Sequence, residues 1–130
     1  LKQPKVYLWD WSVLDDSGAK SENFVASHLL KAVHWWTDNG LGEYDLYFLR
    51  DKEKREVDFL VTRNEKPWFL VEVKAEEKRH VSKDLYYFQE KTGAPHAFQA
   101  SLSMDYVDVN CFSTHRPTIV PVCTLLSQFI

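Results

Sequence analysis

WFLVEVKAEEK, residues Trp68 to Lys78, is the stretch on which the reading of this chain turns. Side chains alternate along a strand, so Trp68, Leu70, Glu72 and Lys74 share one face while Phe69, Val71 and Val73 share the other. Two opposite charges therefore stand side by side on one face of an otherwise buried strand. They are either an ordinary ion pair or a pair placed for chemistry.

The residues just upstream bear on that choice. In Glu56–Val61, alternation groups Asp58 with Leu60 and sets Val57, Phe59 and Val61 on the opposite face. A hairpin turning around Asn64, Glu65 and Lys66 brings Asp58 opposite Glu72; a slip of one residue would set the Asp58 face against the apolar one, which the patterning disfavours. Like charges directly opposite destabilise a strand pair, so a compensating cation is expected. Lys74 supplies part of it. A hard divalent cation such as Mg²⁺ is the other candidate, since it takes carboxylate and water oxygens and is often held by one or two carboxylates with a substrate phosphate. Glu22 adds a third carboxylate. It falls on the apolar stripe of a helix expected from Ala19 to about Asn39, in phase with Val25, Leu29, Val33 and Trp36. A carboxylate on such a stripe needs a partner, unless the dipole at the helix N-terminus is its reason for being there.

Around this core the chain reads as a strand at Lys5–Trp9, a turn-rich DDSGAKS with Ser17 or Ser21 as a helix cap, the first helix, and strands at Tyr44–Arg50, Glu56–Val61 and Trp68–Lys74. A second helix follows from about Val81 to Lys91, stopped by Gly93 and Pro95, then a strand at His96–Ser101. Further strands are expected at Tyr106–Phe112 and Thr118–Val122, and a closing helical turn or two from Cys123. The order is helix, three strands, helix, strand, which implies a mixed α/β layer fold with helices on a central sheet.

With 130 residues, 45% hydrophobic and 27% charged, residues 1–130 make one globular domain. A net charge of -3 argues against a simple nucleic-acid coat, although Arg50–Lys91 carries 11 of the 16 basic residues and only 10 of the 19 acidic ones. Cys111 and Cys123 read as reduced thiols, and with no membrane-length apolar run or signal peptide the expected location is cytoplasmic. Lys78, Arg79 and Lys83, at the opening of the second helix, are candidate phosphate contacts. Gln89 is a further polar candidate on that helix. Trp35, Trp36 and Trp68 are core or partner-facing aromatics.

Glu22 together with VDFLV and FLVEVKA resembles the PD-(D/E)xK nuclease superfamily, whose restriction-endonuclease-like core has the same order of helix, three strands, helix and strand. Within it the chain is most similar to a domain of unknown function found C-terminal to an AAA+ ATPase in prokaryotic proteins, the similarity resting on KVYLWDWSVL, SENFVASHLL, REVDFLV and WFLVEVKA. Val57 stands where the motif name has proline. The resemblance implies that Asp58, Glu72 and the Val73 carbonyl hold Mg²⁺ or Mn²⁺, that Glu22 completes the site, and that Lys74 orients the attacking water. It implies a nuclease that hydrolyses DNA or RNA phosphodiester bonds, with nucleic acid as partner. The chain holds no phosphate loop of the G-x-x-x-x-G-K-[ST] type and begins at Leu1, so the ATPase is expected upstream in a longer protein. The alternative is a noncatalytic module on the same fold that binds nucleic acid or protein and regulates that ATPase.

Overall fold

A computed structural model of the chain describes residues 6–10 and 20–129, with residues 6–10, 20 and 21 described as backbone only. Ser17 lies outside the described residues. One mixed sheet carries six strands in sequential order. These are β1 (Val6–Asp10), β2 (Tyr44–Asp51), β3 (Glu56–Arg63), β4 (Lys66–Lys74), β5 (His96–Ser101) and β6 (Thr118–Pro121). β1 to β4 pair antiparallel, and β5 and β6 add in parallel. Helix α1 (Lys20–Asp38) precedes β2, α2 (Lys83–Thr92) connects β4 to β5, and α3 (Val122–Leu126) follows β6.

The expected stripe of α1 is the buried one: Val25, Leu29, Val33 and Trp36 pack with Phe59, Val61, Phe69, Val71, Phe98 and α3 on one face of the sheet. Leu85 and Phe88 of α2 pack with Leu49, Val57, Leu60, Leu70 and Ala97 on the other. Helices thus cover both faces of a central sheet. Ser21 lies inside the first turn of α1 and does not precede it. For α2 the Ser82 hydroxyl accepts from the Leu85 N–H at one end, and Gly93, at φ 74°, closes the other. Trp36 is a core residue whose indole N–H donates to the Phe129 carbonyl (2.7 Å), Trp68 is partly buried against it, and Trp35 is exposed.

Strict alternation fails at two places, and both are bulges. The β3–β4 turn holds two residues, Asn64 and Glu65, both at positive φ, so the hairpin is tighter than a turn centred on three. Trp68 then enters as an extra residue between the pairs Thr62↔Pro67 and Val61↔Phe69. It packs beside Phe69 on the α1 face, not beside Leu70 as alternation requires. This bulge restores the expected register over Phe59↔Val71, Leu60↔Leu70 and Val61↔Phe69, but Asp58 and Glu72, expected to face each other, are not a ladder pair: the Asp58 carboxylate accepts from the Val73 N–H. On the other side of β3, Tyr47 pairs with Leu60 and Leu49 with Val57, so Asp58 and Phe59 together stand against the single residue Phe48. Val57 accordingly joins Leu60 on the α2 face, opposite to its expected side.

The strand expected at Tyr106–Phe112 is absent: this segment is held by side chains of α3 and its exit in place of a ladder. The Thr124 hydroxyl bonds both the N–H and the carbonyl of Val107 (2.8 and 3.0 Å). Gln128 donates to the Val109 carbonyl and accepts from the Cys111 N–H. A 3-10 turn at Cys111–Ser113 and the short β6 follow.

Phe69 is fully buried and lies within 6 Å, centroid to centroid, of Trp68, Phe98, Phe112 and Phe129. Phe69→Ala is expected to lower unfolding free energy by about 3–5 kcal/mol. Phe24→Ala, at a ring that is 49% exposed, should change it by less than about 1 kcal/mol. Urea titrations of the two variants check the contrast, and equal losses would contradict this placement of the core.

Candidate functional site

The bulge in β3 gives Asp58 a role no neighbour shares. The recorded β3–β4 pairs run only as far as Phe59↔Val71. Two residues on, the Val73 N–H donates to Asp58 Oδ2 at 2.7 Å, so a side-chain carboxylate takes the place of a strand carbonyl at the end of the ladder. Glu72 precedes Val73, is only 9% exposed, and its Oε2 is buried without a hydrogen-bond partner. Lys74 closes the strand with its Nζ 4.0 Å from that oxygen. This is near enough to offset charge but too long for a hydrogen bond. The Lys74 side chain is about one-third exposed, so its ammonium lies at the boundary between the buried carboxylates and solvent.

Asp58 feels the whole group. Burial is the largest influence and raises its pKa from 3.8 to about 7. The Val73 N–H opposes that rise; Glu22 and Glu72 add to it, and Lys74 works against it. Of the four ionic positions expected from sequence, Glu22 in the first turn of α1 and Glu72 and Lys74 on β4 each act on Asp58, and Lys74 also lies 4.0 Å from Glu72.

Among the described residues, no three His, Cys, Asp or Glu side chains come close enough together to hold a metal ion, so Asp58, Glu72 and Glu22 do not form a three-carboxylate site. A magnesium-type ion does not need one, because it keeps several waters and uses one or two carboxylates. The orphaned, buried Glu72 Oε2 and the desolvated Asp58 carboxyl are the donor chemistry such an ion takes, so the residues present fit it.

The other candidates divide. Lys78 and Arg79 are exposed in the loop joining β4 to α2, just ahead of the helix; Lys83 is the first residue of α2, also exposed. Gln89 is not near the carboxylates: its amide donates to the carbonyls of Ala94 and His115 and ties the end of α2 to the loop before β6. Sequence reasoning missed Gln99. It is the in-register neighbour of Glu72 on β5, is 1% exposed, and holds the loop backbone through the Ser82 N–H and the His80 carbonyl. The available signal was a lone amide in the apolar strand HAFQAS, where a buried side chain must find partners for both its donor and its acceptor.

The family model described as "Domain of unknown function (DUF4143)" matches residues 17–123. The chain belongs to the DUF4143 family. No curated protein and no solved structure matches it. The match takes in α1, β2 to β6 and both flanks of the ionic group, so Glu22, Asp58, Glu72 and Lys74 all fall within the DUF4143 domain.

The raised Asp58 pKa has a definite sign in stability. Between about pH 4 and 7 the folded carboxyl keeps a proton that the unfolded chain has lost, so its contribution is fully present below pH 4 and is lost as pH rises through 7. In chelator, Asp58→Asn should flatten that dependence and stabilise the chain at pH 8 by roughly 2–4 kcal/mol, from about three pKa units at 1.36 kcal/mol each. Denaturant unfolding at pH 5 and pH 8 measures it. Parallel pH profiles for the two proteins would show that Asp58 is not held as described.

Proposed function

We propose that this DUF4143 domain is a metal-dependent nuclease of the PD-(D/E)xK kind, with a restriction-endonuclease-like core, hydrolysing phosphodiester bonds of DNA or RNA. One observation carries the reading: Glu72 Oε2 is buried with no hydrogen bond, the Asp58 carboxyl is desolvated and feels both Glu72 and Glu22, and Lys74, 4.0 Å from Glu72, is the cation that opposes them. An ionic network serving the fold alone would pair its members, since an unsatisfied buried carboxylate costs several kcal/mol. The run of α1, three antiparallel strands, α2 and a parallel strand supports the same reading.

Asp58 and Glu72, with the Val73 carbonyl, would hold Mg²⁺ or Mn²⁺, and Glu22 would reach it through water. Such an ion polarises a scissile phosphate and lowers the pKa of bound water, which turns it into a nucleophile at neutral pH. The residues supply the rest. The Val73 N–H fixes Oδ2 of Asp58, so the carboxylate meets its ligand in one orientation. Burial by the sheet keeps bulk water from screening the group. Lys74, partly exposed beside Glu72, can donate to a phosphoryl oxygen or to the attacking water and offset charge that develops there. Asp58 must lose its proton to bind a cation, so Mn²⁺ affinity should rise with pH toward neutrality. The family assignment is consistent with a domain associated with AAA+ ATPases, and an ATPase elsewhere in a longer protein would deliver the substrate.

Incubation of the 130-residue chain with single-stranded, duplex and branched DNA and RNA, in Mg²⁺, Mn²⁺ or chelator, tests the reading. Cleavage should require metal and should fall at least about 100-fold in Asp58→Asn and Lys74→Ala, the loss typical of removing one electrostatic stabiliser. Calorimetric titration with Mn²⁺ gives an independent readout, with binding lost in Asp58→Asn. No cleavage and no Mn²⁺ binding would favour the noncatalytic module that regulates an ATPase.

A further inference from the structure

Gln99 has no part in the chemistry just described, yet it is among the most deeply buried polar side chains of the described residues. Its place is specific. On β5 it is the register partner of Glu72, so the two side chains stand next to each other across the parallel ladder. The Gln99 amide is committed elsewhere: Nε2 donates to the His80 carbonyl at 3.1 Å and Oε1 accepts from the Ser82 N–H at 2.9 Å. Glu72 Oε2 is left without a hydrogen bond, and the end of the loop that joins Lys74 to α2 is fastened to the sheet.

The other end of that loop is fastened as well. The Leu102 N–H donates to the Lys74 carbonyl (2.9 Å), and the Ser103 hydroxyl accepts from the Glu77 N–H (2.9 Å). Residues 75–80 are exposed along their whole length, yet their backbone is pinned on both sides. Exposed loops are ordinarily the mobile parts of a domain, and one pinned to a buried amide is an exception that needs a reason. The loop divides by charge: Glu76 and Glu77 lie in the half held by Ser103, and Lys78, Arg79 and His80 in the half held by Gln99, with Lys83 just beyond.

We infer that Gln99 is a positioning residue that locks the loop of Lys78, Arg79 and His80 beside Glu72 and Lys74, making it the element that grips the polyanionic backbone of a nucleic-acid substrate. This rests on the nuclease reading for its substrate class, but it concerns binding and not the reaction. A cation on a free loop must be ordered when it meets a phosphate, and that ordering subtracts from affinity; a pre-ordered loop avoids the loss.

The test is binding of a fluorescein-labelled single-stranded oligonucleotide and its duplex by anisotropy, in chelator, over a series of salt concentrations. Lys78→Ala/Arg79→Ala should weaken binding and reduce the salt slope by roughly 1–2, the two contacts at 0.7–0.9 each. Gln99→Met keeps the side-chain length and every charge but removes both pins. It should reduce affinity by 3-fold or more, with a slope close to that of the double variant, while the melting temperature stays within a few degrees. Ser82→Pro reaches the same pin from the loop side, since Ser82 already has φ -64° and proline removes its N–H with little strain. It also removes the hydroxyl that caps α2, so Ser82→Ala, which removes the cap alone, is its control and should bind as wild type. Ser82→Pro serves as the readout if Gln99→Met does not fold, and should give the same loss. Wild-type affinity and slope in Gln99→Met or Ser82→Pro would overturn the inference, as would wild-type binding in the Lys78/Arg79 variant. The two readings fail separately. Loop-dependent binding without any cleavage leaves Gln99 its role and removes the nuclease; cleavage indifferent to all of these variants does the reverse.

Discussion

The hydrogen bond from the Val73 N–H to the Asp58 carboxylate is the constraint from which the rest of the site follows. It forms because β3 carries one residue more than β2 between Val57 and Leu60, a bulge that leaves Asp58 free of strict alternation. The recorded pairing of β3 with β4 stops at Phe59 and Val71, and beyond it the strands are joined through a side chain. A carboxylate set into a ladder in this way is desolvated by the sheet around it, which is the main cause of its raised pKa. The same strand end then contributes Glu72 and Lys74, so bulge, buried acid and adjacent cation arise together at one place.

This bulge explains both what could be read from the sequence and what could not. Glu72 and Lys74 lie at the end of a strand whose apolar residues alternate faithfully from Phe69 to Val73, and their same-face relation needed nothing more. The stripe of α1 was equally legible, because Val25, Leu29, Val33 and Trp36 repeat at helical spacing and all four are buried. Alternation misled at Trp68 and Val57. Each lies at a bulge, and one inserted residue reverses the faces of everything on one side of it. The expected pairing of Phe59 with Val71 survived because the two-residue turn and the Trp68 bulge compensate. Nothing in composition announces such a pair of offsetting irregularities.

A second kind of failure lies at Tyr106–Phe112, where β-prone residues form no strand. Strand propensity describes a residue suited to a pleated, half-buried surface, and the sheet must offer an edge for it to join. Here the backbone groups are taken by Thr124 and Gln128, polar side chains of α3 and the turn after it, which no local pattern links to residues 15 or more positions earlier. Apolar patterning reports burial, but it cannot report which polar side chain will replace a strand as partner.

The polar side chains of the interior therefore sort by how fully they are paired. Gln99, Thr124 and Gln128 each join two or more backbone groups, and each fixes a segment that has no regular structure of its own. Among the described residues, buried side-chain atoms without a hydrogen-bond partner are confined to Thr62 Oγ1, next to the Trp68 bulge, and Glu72 Oε2. For a neutral hydroxyl the loss is modest; for a carboxylate it is larger, and here it is offset in part by Lys74 at 4.0 Å. Gln99, the register neighbour of Glu72, uses both ends of its amide to hold the neighbouring loop. Stability alone would favour a hydrogen-bonded Glu72, so the arrangement makes sense if the open position at Glu72 is filled by a ligand that the carboxylates bind.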